Sequence, residues 1–234
     1  MRPFFYYFGG KYRAAVHYPP PQHGTVIEPF AGAAGYSTRY YRKDVLLIDA
    51  DPVIAGLWNY LISVPASEIR RIPLLDHDQT VDDLVGWPQE ARWLVGFWLN
   101  AGVNRPRRRP SAWMRSGKRP GSYWGERVRE SIATQVEKIR HWRVIHGSYE
   151  DAPELEATWF IDPPYQKAGK SYVYGSLGID YGKLGAWCKG RKGQVIVCEN
   201  HGAEWLPFRP FRDIRGTSGR HRTGVSKEVV YLQS

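Results

Sequence analysis

The sequence predicts an α/β protein: an open parallel sheet, split by a helical insertion. Three observations lead there. Residues 25–63 read as strand, small-residue turn, helix, strand, helix. Apolar strands and helical spacing resume at 157–200. Between these halves, residues 64–145 have a different composition, helical and strongly basic. Strands that alternate with helices of this length are joined most simply by parallel crossovers.

Each element has a local reason. "TVIEPF" at 25–30 is a short apolar run, followed by the small-residue turn "AGAAG" at 31–35 and by "YSTRYYRK", which can be helical. "DVLLID" at 44–49 is a second apolar strand that ends on a carboxylate. In "DPVIAGLWNYLIS" at 51–63, Ile54, Leu57, Trp58, Leu61 and Ile62 share one helical face. Asp51 suits the N-cap of that helix and Pro52 its first turn. Later, "ATWFID" at 157–162 and "GQVIVCEN" at 193–200 read as strands, with "IDYGKLGAWCKG" at 179–190 as the helix between them. The tail after Phe211 reads as two strands around a basic, glycine-rich turn. In the insertion, 80–102 and 125–145 carry helical patterns, separated by the breaker-rich basic stretch "VNRPRRRPSAWMRSGKRPGSYW". These boundaries predict one domain made of 1–63 and 146–234, with 64–145 inserted into it.

Bulk properties narrow the function. The chain has 234 residues, enough for one sizeable domain, and 42% hydrophobic residues, enough for a core. A formal net charge of +10 favours a polyanionic partner such as nucleic acid, or marks a generally basic enzyme. Two cysteines, Cys188 and Cys198, exclude a disulfide framework, and no Cys/His cluster predicts a metal site. The start "MRPFFYYFGG" is too short for the apolar core of a signal peptide, and no window has 18 apolar residues in a row. A cytoplasmic protein is expected. The 10 Trp and 15 Tyr are mainly packing residues, with some able to stack on bases.

Three stretches carry candidate chemistry. In "EPFAGAAGYS" at 28–37, small residues after a strand allow a ligand close to the backbone and place a helix start beside it. The same stretch also fits an ordinary tight turn. Its two glycines, Gly32 and Gly35, are too few to wrap a pyrophosphate, but they suit a nucleoside ligand without phosphates, such as S-adenosylmethionine. Asp49 ends the second strand, where a carboxylate accepts from ribose hydroxyls. Asp51 competes for this role, and Asp49 is preferred. In "FIDPPY" at 160–165, an apolar run stops on Asp162 and two prolines stiffen the chain beyond it. If the substrate is the exocyclic amine of a base, its lone pair is delocalised into the ring. Two acceptors, the Asp162 carboxylate and the Pro163 carbonyl, would bias the nitrogen towards tetrahedral geometry, while Tyr165 stacks the base.

Taken in order, "YFGGK" at 7–11, "EPFAGAAG" at 28–35, "LLIDADP" at 46–52, "HGSYED" at 146–151, "FIDPPY" at 160–165 and "NHG" at 200–202 resemble the Dam-type, alpha-group DNA N6-adenine methyltransferases. The resemblance covers most of 5–60 and 145–234 and leaves out the insertion. It implies a Rossmann-like S-adenosylmethionine-dependent methyltransferase sheet, with target recognition in the insertion. It implies that Tyr7, Lys11, Phe30, Ala31, Gly32, Asp49, Ser148, Tyr149 and Asp162 contact S-adenosylmethionine, and that Asp162, Pro163 and Tyr165 hold a flipped adenine. No metal is implied. Double-stranded DNA is the implied partner; within the insertion, the charges of the breaker-rich stretch offer Arg107, Arg108, Arg109, Arg115, Lys118 and Arg119 as a group for phosphate contact, or else form a solvated loop. A phage or bacterial origin fits, as does a restriction–modification system with a cognate nuclease. Tyr7 stands where a tryptophan is common in the family, and the insertion is short and unusually basic, so no target sequence carries over.

Two other readings stay open on sequence alone. One is an RNA base methyltransferase of the same fold, although "FGGK" ahead of the glycine turn is not expected there. The other is a non-catalytic DNA-binding module. Intact Lys11, Asp49 and Asp162 weigh against that second alternative.

Overall fold

The computed structural model describes residues 1–234 except 77, 101–102, 117–122, 172 and 216–224. In chain order the elements are β1 (Thr25–Glu28), α1 (Gly35–Arg39), β2 (Asp44–Asp49), α2 (Pro52–Ser63), α3 (Ala66–Arg71), α4 (Gln89–Trp98), α5 (Ala112–Arg115), α6 (Glu126–Val136), β3 (Arg143–His146), β4 (Glu156–Ile161), α7 (Tyr181–Lys189), β5 (Lys192–Asn200), β6 (Arg209–Arg215) and β7 (Val225–Gln233). They build a mixed α/β fold around one seven-stranded sheet of order β3-β2-β1-β4-β5-β7-β6. The first five strands of that order are parallel, and β7 runs antiparallel to both β5 and β6. This mostly parallel arrangement is compatible with a Rossmann-like fold. The strand order turns between β1 and β4, and in open sheets of this kind a crevice opens beyond the carboxyl ends at such a point.

The sheet is buried on both faces, and alternate strand residues show it. Val26, Val45, Leu47, Phe160 and Ile196 face one core, together with Phe4, Phe5, Trp58 and Phe97. Ile27, Leu46, Ile48, Trp159 and Val195 face the other, with Leu184 and Cys188 of α7. A period of two is what a pleated strand imposes, and near-continuous apolar runs are what burial on both faces requires.

Several local expectations hold. Asp51 caps α2, its Oδ1 accepting from Val53 N at 2.9 Å, and Pro52 opens the helix. β1 stops at Glu28, since the following proline cannot extend a ladder. Other expectations need correction. The helical pattern at 125–145 ends early: α6 and one tighter turn reach Ile139, and Arg143–His146 is a strand paired with β2. The pattern at 80–102 is helical only over Gln89–Trp98, because Pro88 sets a late start. The helix predicted from Tyr36 to Lys43 is one short turn ending at Arg39.

The insertion shares the main core. Leu94, Phe97 and Trp98 of α4 and Ile132 and Val136 of α6 pack in one cluster with Phe4, Phe5 and Trp58. Trp98 Nε1 donates to the Phe4 carbonyl at 2.8 Å, and Phe8 N to the Val103 carbonyl at 3.0 Å. Among the described residues, no helix is long and apolar enough to cross a membrane.

Candidate functional site

Parallel strands bring their ends together, and here those ends are acidic. Glu28 and Asp49 terminate β1 and β2, Asp162 follows β4, and Glu199 is next to last in β5. A cavity of about 660 Å³ opens beyond β1, β2 and β4, with Glu28, Asp49 and Asp162 in its wall. Tyr7, Lys11, Phe30, Ala31, Gly32, Ser148 and Tyr149 also line it. The structure therefore gathers nine predicted cofactor residues, scattered from 7 to 162 in the sequence, around one space.

The turn after β1 owes its shape to small residues. Gly32 has φ +44° and Ala34 φ +46°, both left-handed, which glycine adopts without strain. A Cβ on Gly35 would lie 2.4 Å from Tyr12 N, so the N-terminal segment can pass close only over a glycine. Asp49 holds the turn: its Oδ2 accepts from Gly32 N at 2.8 Å and its Oδ1 from Asp51 N at 2.9 Å. Burial raises Asp49 to about 6, against those two hydrogen bonds. Asp51, the rival residue, is committed to capping α2. Phe30 and Tyr149 stack with centroids 5.7 Å apart, and Ser148 N donates to Asp151 Oδ2 at 2.7 Å, fixing the loop that carries Tyr149.

Glu28 is 2% exposed, and its Oε1 accepts from Ser37 N at 2.6 Å. Burial lifts its carboxyl to about 8, even against that bond.

The proline segment is clamped from several sides. Lys11 Nζ lies 3.0 Å from Asp162 Oδ1 and 3.6 Å from Glu228 Oε1, and 4.8 Å from the centre of the Tyr165 ring. Tyr181 Oη donates to the Pro164 carbonyl at 2.5 Å, and Gly169 N to the Tyr165 carbonyl at 2.6 Å. Glu199 Oε2 accepts from Gln166 N at 3.1 Å and from Trp205 Nε1 at 3.0 Å. Burial raises Asp162 to about 6, with Lys11 opposing and Glu228 and Glu199 adding to the rise. Burial also works against the Lys11 ammonium, but Asp162, Tyr165 and Glu228 outweigh it and hold its pKa well above the ordinary lysine value. Pro163 is buried and Tyr165 half-buried; Pro164 lines the cavity where those two do not. The Lys11 ammonium lies over one face of Tyr165, whose ring also packs against the main core.

Arg107, Arg108, Arg109 and Arg115 are exposed, as a phosphate-contacting group requires. Arg108 pairs with Asp82, and Arg107 N donates to the Gly96 carbonyl at 3.0 Å. The Phe8–Val103 hydrogen bond ties the start of this stretch to the "FGGK" turn that bears Lys11. Lys118 and Arg119 lie outside the described residues.

Sequence reading missed Glu28, Glu199, Tyr181 and Glu228. Glu28 and Glu199 had the signal that exposed Asp49 and Asp162, an apolar run stopping on a carboxylate. Glu228 gave a fainter one, an acid inside the strand "SKEVVYL".

Comparisons with known proteins add little to this geometry. No family model matches the chain, and no curated protein matches it. Among solved structures, a conserved hypothetical protein from Streptococcus pyogenes aligns over 90% of this chain and 86% of its own, at 12% identity and a TM-score of 0.35. So distant a likeness carries no argument about function.

Proposed function

We propose that this protein is an S-adenosylmethionine-dependent DNA methyltransferase acting on the exocyclic N6 amine of adenine. The observation that carries the reading is the Lys11–Asp162 pair, held by a stiff proline segment in the wall of a cavity whose other wall is the glycine turn and Asp49. The cavity size lies in the range of nucleoside-sized ligands. Its chemistry fits the cofactor. Asp49 keeps a free lone pair on each oxygen for ribose hydroxyls. Phe30 and Tyr149 offer an aromatic wall. The surplus of buried carboxylates over Lys11 favours a cation.

When bound, S-adenosylmethionine supplies the methyl group as a sulfonium. The protein's part is placement. Asp162 accepts a hydrogen bond from the adenine amine and so localises the nitrogen lone pair. Lys11 and the clamped loop hold that carboxylate still. In the transfer the N–C bond would form as the sulfonium's S–CH3 bond breaks and its electron pair returns to sulfur, leaving a thioether; the amine proton would leave towards Asp162 or water, and no covalent enzyme intermediate is required. A duplex adenine must leave the stack to reach Asp162. The exposed arginines offset part of that cost through phosphate contacts.

The test is methyl transfer from labelled S-adenosylmethionine, with unmethylated DNA and total RNA as parallel acceptors and nucleoside identification after digestion. Label in N6-methyladenine from DNA is expected. Label in RNA alone would move the protein to the RNA reading, and no label in either would overturn the enzyme reading.

A further inference from the structure

Glu228 reaches the site from a strand with no expected role there. It lies near the start of β7, opposite Asn200 at the end of β5. Because β7 is antiparallel to β5, its first residues arrive where the parallel strands finish. Three donors converge on this buried carboxylate. Tyr165 Oη lies 3.1 Å and Lys11 Nζ 3.6 Å from Oε1, and Tyr18 Oη lies 2.9 Å from Oε2. A glutamate inside a core strand is unfavourable unless its charge is answered, and here two of the three groups that answer it, Lys11 and Tyr165, belong to the candidate site. Lys11 thus sits between two carboxylates instead of pairing with Asp162 alone.

We propose that Glu228 is a positioning residue, which fixes the Tyr165 ring through its hydroxyl and shares the Lys11 ammonium so that Asp162 stays a competent acceptor. The inference rests on the methyltransferase reading for its catalytic consequence, but not for its electrostatic one. Without the Glu228 charge, Lys11, which also donates to the Gly9 carbonyl at 3.2 Å, turns further towards Asp162 and competes with an incoming amine for the same oxygen. The groups facing Asp162 are Lys11 of the N-terminal turn, Tyr165 of its own loop, Glu28 of β1, Cys198 and Glu199 of β5, Tyr18 and Glu228. Of these, Glu228 is the anion that also touches Lys11, so its removal should lower the Asp162 midpoint from about 6.

Glu228→Gln is the informative variant, since it keeps the shape and an acceptor for Tyr165 while losing the charge. On the full chain with ¹³C-labelled aspartate, the Asp162 carboxyl signal, assigned by its loss in Asp162→Asn, should titrate lower by roughly one pH unit, with Asp49 unmoved. In methyl transfer, kcat should fall about tenfold while the cofactor KM holds within about twofold, and the acid limb of the kcat profile should move down with the carboxyl midpoint. An Asp162 midpoint and a kcat that both stay at wild-type values would overturn the proposal. If the wild type transfers no methyl group, the enzyme reading fails and the titration alone decides; a fixed midpoint then overturns the shared-ammonium arrangement. Should Glu228→Gln not fold, Tyr165→Phe removes only the hydroxyl. A lower kcat at unchanged cofactor KM is expected there, and an unchanged kcat would overturn the clamp.

Discussion

Replacing Glu28 by Gln should make the protein more stable than the wild type, by a margin that grows as pH rises from about 4.5 to about 8. The carboxyl is 2% exposed, and burial raises it from 4.5 to about 8. The native state therefore keeps this proton to higher pH than the unfolded chain does. Stability from this group is complete below about pH 4.5 and is lost as pH rises through about 8. At about 1.4 kcal/mol per pH unit, the loss reaches on the order of 5 kcal/mol, an upper bound because the side chain borders a cavity that admits water. Glutamine keeps an oxygen for Ser37 N, 2.6 Å away in the wild type, and never ionises. Urea unfolding of both proteins between pH 4.5 and 9 isolates the effect, since every other titration is shared. The curves should nearly coincide at pH 4.5 and separate steadily, with the variant ahead at pH 9. At about 2–4 °C per kcal/mol for a chain of this size, the melting temperatures should part by roughly 10 °C. Two parallel curves, or a gap that closes with rising pH, would refute the reasoning.

Asp162→Ala should abolish methyl transfer while calorimetry still detects S-adenosylmethionine binding; activity within about threefold of wild type would remove Asp162 from the chemistry. Replacing Arg107, Arg108 and Arg109 together by Gln should weaken DNA binding and flatten the log–log salt dependence by about two to three, near 0.9 per lost phosphate contact. The lower figure applies if Arg108 remains with Asp82, and an unchanged slope on anisotropy titration would make the stretch a solvated loop. Gly35→Ala forces a Cβ to within 2.4 Å of Tyr12 N and 2.8 Å of the Lys11 carbonyl carbon. It should cost about 1–3 kcal/mol and weaken cofactor binding, and a wild-type melt would contradict that close approach.

What the sequence disclosed was local. The strand–turn–helix at 25–63 could be read because Asp51, Pro52 and the face from Ile54 to Ile62 each act within a few residues of themselves. Asp49 and Asp162 stood out because each ends an apolar run. β3 was hidden for a physical reason: four residues pairing only with β2 come after a helix with no glycine or proline between, so nothing local breaks the helical pattern. The unity of the core was hidden as well. Phe4 and Phe5 reach Trp58 at centroid distances of 5.6 and 5.4 Å, and Phe5 reaches Phe97 at 5.1 Å, contacts across tens of residues that no window of sequence spans.

The reversed strand explains why the site was only half legible. Parallel strands deliver the residues at their carboxyl ends, so the acids of β1, β2, β4 and β5 obey one rule that can be read along the chain. A strand inserted antiparallel delivers its beginning instead, and Glu228 breaks that rule while meeting the others in space. Lys11 then lies where two independent supports converge. β7 reaches it through Glu228, and the insertion reaches its turn through the Phe8–Val103 hydrogen bond. A buried ammonium with neither support would rest on Asp162, the Gly9 carbonyl and the Tyr165 ring. Removing the β7 support should therefore show at Asp162 before it shows in the stability of the sheet.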